Sequence, residues 1–259
     1  MIKLICRPMA IMAASAVMGA MAQSNPAQID WVALEGFEMA RTETTVGQFA
    51  RFVAATGTVT QAERDGGGHV YEAGWVRKAG WTWRTPLGGK DSHDLWPAVH
   101  VNYAEAQAFC RWAGGQLPTD EQWVKAAYTE MRPNPPTPFQ RGQTYPYPTG
   151  NSPQGAQCLS DCGPDRSQAH GAKLWRGLGP ALAGRTAAGV NGLLDMGANA
   201  WEWVAPDRGT PATDAWRTRG GSWWYGKEPM MASHQAFKPV DTAVVYIGLR
   251  CARPAQTAP

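Results

Sequence analysis

Cysteines are the most reactive side chains in this sequence, and four follow residue 22: Cys110, Cys158, Cys162 and Cys251. An even number suits a disulfide framework, and four thiols allow three pairings, among which spacing alone does not choose. Cys158 and Cys162 are close enough in the chain for a local bridge or a reactive dithiol, but their loop, after Tyr145, lies far along the chain from Ser222. Histidine chemistry is not signalled, since His69, His93, His100, His170 and His234 show neither a His-Glu-x-x-His spacing nor a metal triad. Ser222 has no base evident beside it, which favours a turn hydroxyl over a nucleophile. Met230 and Met231 could offer thioether sulfur to copper, although adjacent methionines more often pack. In Trp201-Glu202-Trp203 an extended backbone would place both indoles on one face and the carboxylate on the other. Ser222, Trp223, Trp224, Tyr225, Lys227 and Glu228 together offer aromatic walls and polar handles for a peptide-like or ring-bearing ligand. Only one of two neighbours on a strand can face inward, so one of Trp223 and Trp224 is expected at a cleft or in solvent.

These groups need a body to hold them, and composition describes one: 259 residues, 44% hydrophobic and 17% charged, exclude disordered and fibrous classes. The 29 Gly, 20 Pro and 13 Trp point to a loop-rich fold pinned by aromatic side chains. Residues 1–22 read as a secretory signal peptide, with Lys3 and Arg7, an uncharged run from Met9 to Gly19 and a small-residue site at Ala20-Met21-Ala22. The run is shorter than the roughly 20 residues of a spanning helix. A periplasmic or secreted location follows, where disulfides persist. Without the leader, the chain carries 22 basic against 21 acidic residues and no basic cluster. Neither nucleic acid nor, after cleavage, a membrane is an expected partner.

Three helices can be placed by their starts. Thr45 with Gln48, Asn102 with Glu105 and Thr119 with Gln122 are capping-box pairs, each followed by apolar residues at helical spacing. Gly57 ends the first, Gly114 and Gly115 end the second, and Trp123, Ala126 and Ala127 of the third should face the core. After Glu130 the pattern turns to Pro, Gly and polar residues, a long loop or insertion. Strand-like alternation returns at residues 216–224 and 242–253. With no internal repeat and no linker, residues 23–259 read as a single α+β domain.

Ordered blocks across nearly the whole of that domain resemble the formylglycine-generating enzyme, or sulfatase-modifying factor, family. They are residues 37–45, 106–114, 116–123 and 191–196, then Asn199-Ala200-Trp201-Glu202-Trp203, Arg219-Gly220-Gly221-Ser222-Trp223 and residues 247–251. The resemblance implies a variant C-type-lectin-like fold with little regular secondary structure. It implies a Cys110–Cys251 disulfide, which leaves Cys158 and Cys162 to each other. It also suggests Asn199 and Glu202 as oxygen ligands of a structural calcium ion, although Ala198 stands where the family has Gly and Gln157 where it has Asn near another calcium site.

Family members that make formylglycine use two cysteines just after the Gly-Gly-Ser block to bind copper(I) and the substrate thiol. Here Tyr225 and Met230 occupy those places, so copper is not expected and sulfatase cysteine oxidation by that route is disfavoured. The family's active-site rim maps onto Ser222 to Glu228, with Ser222, Tyr225, Glu228 and also Glu202 as catalytic candidates and Trp223, Trp224 and Lys227 as substrate-binding ones. The function implied is oxidative maturation of an exported peptide or peptide-derived product, as in the pyoverdine-maturation branch. The alternative is a non-catalytic module binding a peptide, glycan or protein. A buried carboxylate facing the cleft would favour the enzyme, and an open, uncharged aromatic patch the binder.

Overall fold

The computed structural model describes residues 25–256 apart from 90–91, 160–161, 163–178, 208, 212 and 214, so the leader and His170 lie outside the described residues. Local signals build the helices. Helix α1 (Val46–Thr56) begins at a reciprocal Thr45–Gln48 box and ends at Gly57 in the left-handed region, φ 69°. A four-residue helix α2 (Gln61–Arg64) starts from a further box, Thr60 with Glu63. Helices α3 (Tyr103–Trp112) and α4 (Asp120–Tyr128) are capped by Asn102 and Thr119 as their sequences predict. No helix among the described residues is long and apolar enough to cross a membrane.

The strands are short. Strands β1 (Trp31–Ala33) and β2 (Phe37–Ala40) form a sheet with the last strand, β9 (Ala252–Pro254), so the two ends of the domain meet. Strands β3 (His69–Tyr71) and β4 (Trp75–Arg77) make a separate hairpin whose Tyr71 and Trp75 pair across it. Strands β5 (Trp201–Trp203), β6 (Ala215–Arg219), β7 (Ala236–Pro239) and β8 (Ile247–Gly248) form a sheet in the order β7-β6-β5-β8, with β5 and β8 parallel. This single mixed α+β body of short elements is the expected fold class.

The main core packs α1 and α3 against the four-stranded sheet. Phe49 lies stacked on Phe109 at 5.5 Å between centroids, and Trp203 and Trp223 belong to the same buried cluster. A second core holds Trp123, Ala126 and Ala127 of α4 against Phe37, Met39 and Val204. The Cys110–Cys251 disulfide, Cα atoms 5.5 Å apart, ties α3 to the turn before β9. It closes a loop of 141 residues, worth about 5 kcal/mol in the chain-entropy model. Cys158 and Cys162 form the other bridge.

Candidate functional site

The alternation of Trp201-Glu202-Trp203 places Glu202 in the interior, where its carboxylate is fully used. It accepts from Arg250 Nε at 2.9 and 2.8 Å, from Arg250 Nη2 at 2.8 Å and from Trp123 Nε1 at 2.6 Å. Arg250 spends its remaining donors on the carbonyls of Ala40, Arg41 and Leu194. Both side chains are inaccessible to solvent, so the pair clamps β2, β5 and the 194 turn around a shared charge rather than serving a ligand. Asn199 is equally occupied: its amide nitrogen donates to Glu43 Oε2 at 2.6 Å, and its oxygen accepts from Ala181 N at 2.8 Å. A calcium ion between Asn199 and Glu202 would have to displace these partners and sit against a guanidinium, so this side-chain pair does not fit the ion. Burial, and then the charges of Asp195 and Glu202, push the Glu43 carboxyl well above the usual carboxylate range.

The Gly-Gly-Ser block ends β6. Gly220 and Gly221 have φ 96° and 78°, and a Cβ on Gly220 would stand 3.1 Å from Met196 O. The chain then turns, so the strand expected through residue 224 stops at Arg219, and strand alternation does not govern Trp223 and Trp224. Both indoles are 1% exposed, edge to face at 4.9 Å, which corrects the expectation that one of them faces a ligand. Ser222 is buried as well, and its Oγ accepts from Trp224 N at 3.3 Å, as a turn hydroxyl does. Of the expected rim, only Tyr225, Lys227 and Glu228 reach the surface, the first two partly. Glu228 begins a short 3-10 turn, Glu228–Met230, that buries Met230 completely.

The tertiary fold brings the Cys158–Cys162 bridge to this place, against its distance along the chain. Leu159 N donates to Tyr225 O at 2.9 Å, while Cys162, Ala198 and Met230 form one buried cluster with Cys158 and Tyr147 packed on it. The loop that the disulfide closes therefore adjoins both Tyr225 and Met230.

Beyond Tyr225 the rings continue outward. Tyr225 meets Trp201 at 5.9 Å and Tyr246 at 5.7 Å, and Trp201 meets His234 at 5.7 Å. Tyr246 then lines a cleft of about 410 Å³ between the β3–β4 hairpin and residues 238–247. The hairpin side contributes Gly68, His69 and Trp75, and the other side Lys238, Thr242 and Tyr246. Gly68 is obligatory there, because a Cβ would lie 2.0 Å from His100 Nδ1. His100 is buried beneath it, donating from Nε2 to Pro86 O at 2.9 Å, and burial lowers its pKa to about 4. Trp75 is 58% exposed, the largest apolar side chain left so open among the described residues. Sequence patterns alone did not mark this cleft. Tyr71 and Trp75 flanking Ala73-Gly74 are a hairpin signal that could have revealed one wall, whereas Lys238 has no local signature.

The sulfatase-modifying factor enzyme 1-like domain matches residues 8–255, almost the whole chain. The chain belongs to this family. The formylglycine-generating enzyme of Mycobacterium tuberculosis is 30% identical over 286 residues, which span 87% of this chain and 90% of that one. The inactive Cα-formylglycine-generating enzyme 2 of Bos taurus is also 30% identical, over 68% of this chain and 58% of its own. Among solved structures, PvdO from Pseudomonas aeruginosa shares the fold, with TM-score 0.57 and 17% identity, over 85% of this chain and 80% of that one. At the two positions where the resemblance led one to expect a thiol pair, this chain carries a phenol, Tyr225, and a buried thioether, Met230.

Proposed function

We propose that this protein is an exported member of its family that matures a peptide or peptide-derived small molecule by oxidation, without a copper-thiol pair. The observation that carries the reading is the pair of residues in the thiol positions. Met230 is buried beyond reach, and Tyr225 is a half-buried phenol at the inner end of an aromatic path leading to the cleft. Neither can become the soft thiolate that copper(I) requires. The shared fold with PvdO and the leader-like residues 1–22 support the same reading. Tyr225 is the acid/base candidate nearest the cleft, because Glu202 is committed to Arg250 and Glu228 is turned to solvent.

The test is mass spectrometry of periplasmic and secreted peptides from cells with and without the protein. The expected result is a product differing by two hydrogens or one oxygen, restored by the wild type but not by Tyr225→Phe. Identical products under several growth conditions would replace this reading with the second one, a binding module. One observation favours that second reading: the buried carboxylates Glu43, Asp195 and Glu202 bond to protein groups and do not line the cleft. The resemblance to an inactive relative points the same way.

A further inference from the structure

Among the described residues, several buried or partly buried cations are held by carboxylates. Arg219 meets Asp120 at 2.6 Å, Arg250 meets Glu202 at 2.8 Å, Arg132 meets Glu130 at 2.7 Å, and Lys78 meets Glu72 at 2.8 Å. Arg253 likewise pairs with Glu38. Lys238 is half-buried and has no carboxylate at ion-pair distance among the described residues. It stands opposite Trp216 in the β6–β7 register, and its Nζ lies 5.6 Å from the centre of the Trp201 ring. A ring face attracts a cation but does not replace the hydration that an ammonium loses on burial, and burial lowers the pKa of Lys238 accordingly. Among the described residues, Arg219, Arg250, Arg132, Lys78 and Arg253 are each paired with a carboxylate, whereas Lys238 lines a cleft without one and leaves a place for an anion.

The rest of the cleft says what the anion is attached to. Trp75, more than half exposed, offers a ring to it above a wall that includes the nearly buried Tyr246, and about 410 Å³ has room for a ligand the size of one or two amino acids. The other charged groups at the cleft are Asp65 and Arg77, which engage each other at 3.4 Å, and the exposed Asp241, three residues from Lys238 and not in an ion pair with it. Lys238 is a single point charge among aromatic walls in a cleft of amino-acid size, a setting that suits the lone carboxylate of a peptide-type ligand.

We propose that this cleft recognises a carboxylate-bearing aromatic ligand of peptide type, with Lys238 pairing the carboxylate and Trp75 covering the ring. The proposal rests on the cleft being the ligand site of the function above and adds the chemical class of that ligand.

The experiment is calorimetric titration of the full chain with N-acetyl-L-phenylalanine and with its uncharged carboxamide. The acid should bind at least tenfold more tightly than the amide, and added salt should narrow the gap. Lys238→Met should erase the preference while leaving the amide unchanged, Lys238→Arg should restore part of it, and Trp75→Ala should weaken both compounds alike. Equal binding of acid and amide, a preference retained in Lys238→Met, or no binding of either compound at millimolar concentration would overturn the proposal. Should Lys238→Met fail to fold, the acid-to-amide ratio of the wild type and of Lys238→Arg decides alone. Failure here is distinguishable from failure of the maturation reading: altered cellular products without an acid preference sink only the role of Lys238, and an acid preference without altered products sinks only the oxidation.

Discussion

Two positive charges lie near the four-stranded sheet and have opposite surroundings. Arg250 is wholly buried, donates to one carboxylate and three carbonyls, and has no donor left to offer. Lys238 is half-buried beside a ring, faces a cleft and has no carboxylate partner among the described residues. A saturated charge holds elements together and loses everything if one partner is removed, whereas an unsaturated one costs the fold free energy and is useful to a ligand. The same contrast separates Glu202, conspicuous between two tryptophans yet enclosed, from Trp75, inconspicuous in sequence yet open.

The closed region can be broken most severely at its covalent tie. Replacing Cys110 and Cys251 together by Ser should cost about 5 kcal/mol, less any native strain, read as a lower urea midpoint. Arg250→Met should come next at about 3–5 kcal/mol, because Glu202 would remain buried without its cation. A loss below about 1 kcal/mol would mean that the pair is not the clamp described. Glu202→Gln paired with Arg250→Met in a double-mutant cycle would then isolate their coupling.

His100 sharpens the boundary between the regions, since it lies beneath the glycine floor of the cleft yet is fully buried. Its folded pKa of about 4 lies below the ordinary histidine value of 6.5, so between those values the unfolded chain binds more protons. Its contribution is therefore complete above pH 6.5 and is lost as pH falls towards 4, by up to about 3 kcal/mol. Thermal midpoints across that window should show the loss, and His100→Gln should flatten it. Smallest of all, Trp75→Ala should change stability by no more than about 0.5 kcal/mol, since the indole is largely in water. Lys238→Met should leave the thermal midpoint unchanged or raise it, opposite in sign to Arg250→Met. A large loss from either substitution would erase the distinction between an open site and a closed core.

Much of the fold was legible because its signals are local. The capping boxes at Thr45, Asn102 and Thr119 are read within four residues, and each starts a helix in the structure. The box at Thr60 is just as local, but its four-residue helix leaves no apolar period to notice. The family blocks anticipated the fold and the Cys110–Cys251 bridge. The site was less legible. Strand alternation assigned Trp223 and Trp224 wrongly, because two glycines with positive φ had already ended the strand.

The helix starts, the glycine stops, the family and the absence of cysteine at residues 225 and 230 could be read from the sequence, because all of them depend on residue identity or near neighbours. Only the tertiary structure decided that Glu202 belongs to Arg250, that Cys158 and Cys162 lie against Tyr225 and Met230, and that Trp75 and Lys238 share a cleft. Those facts join residues about 50 to 160 positions apart, and such contacts are chosen by packing and by the pairing of buried charge, which no local pattern encodes.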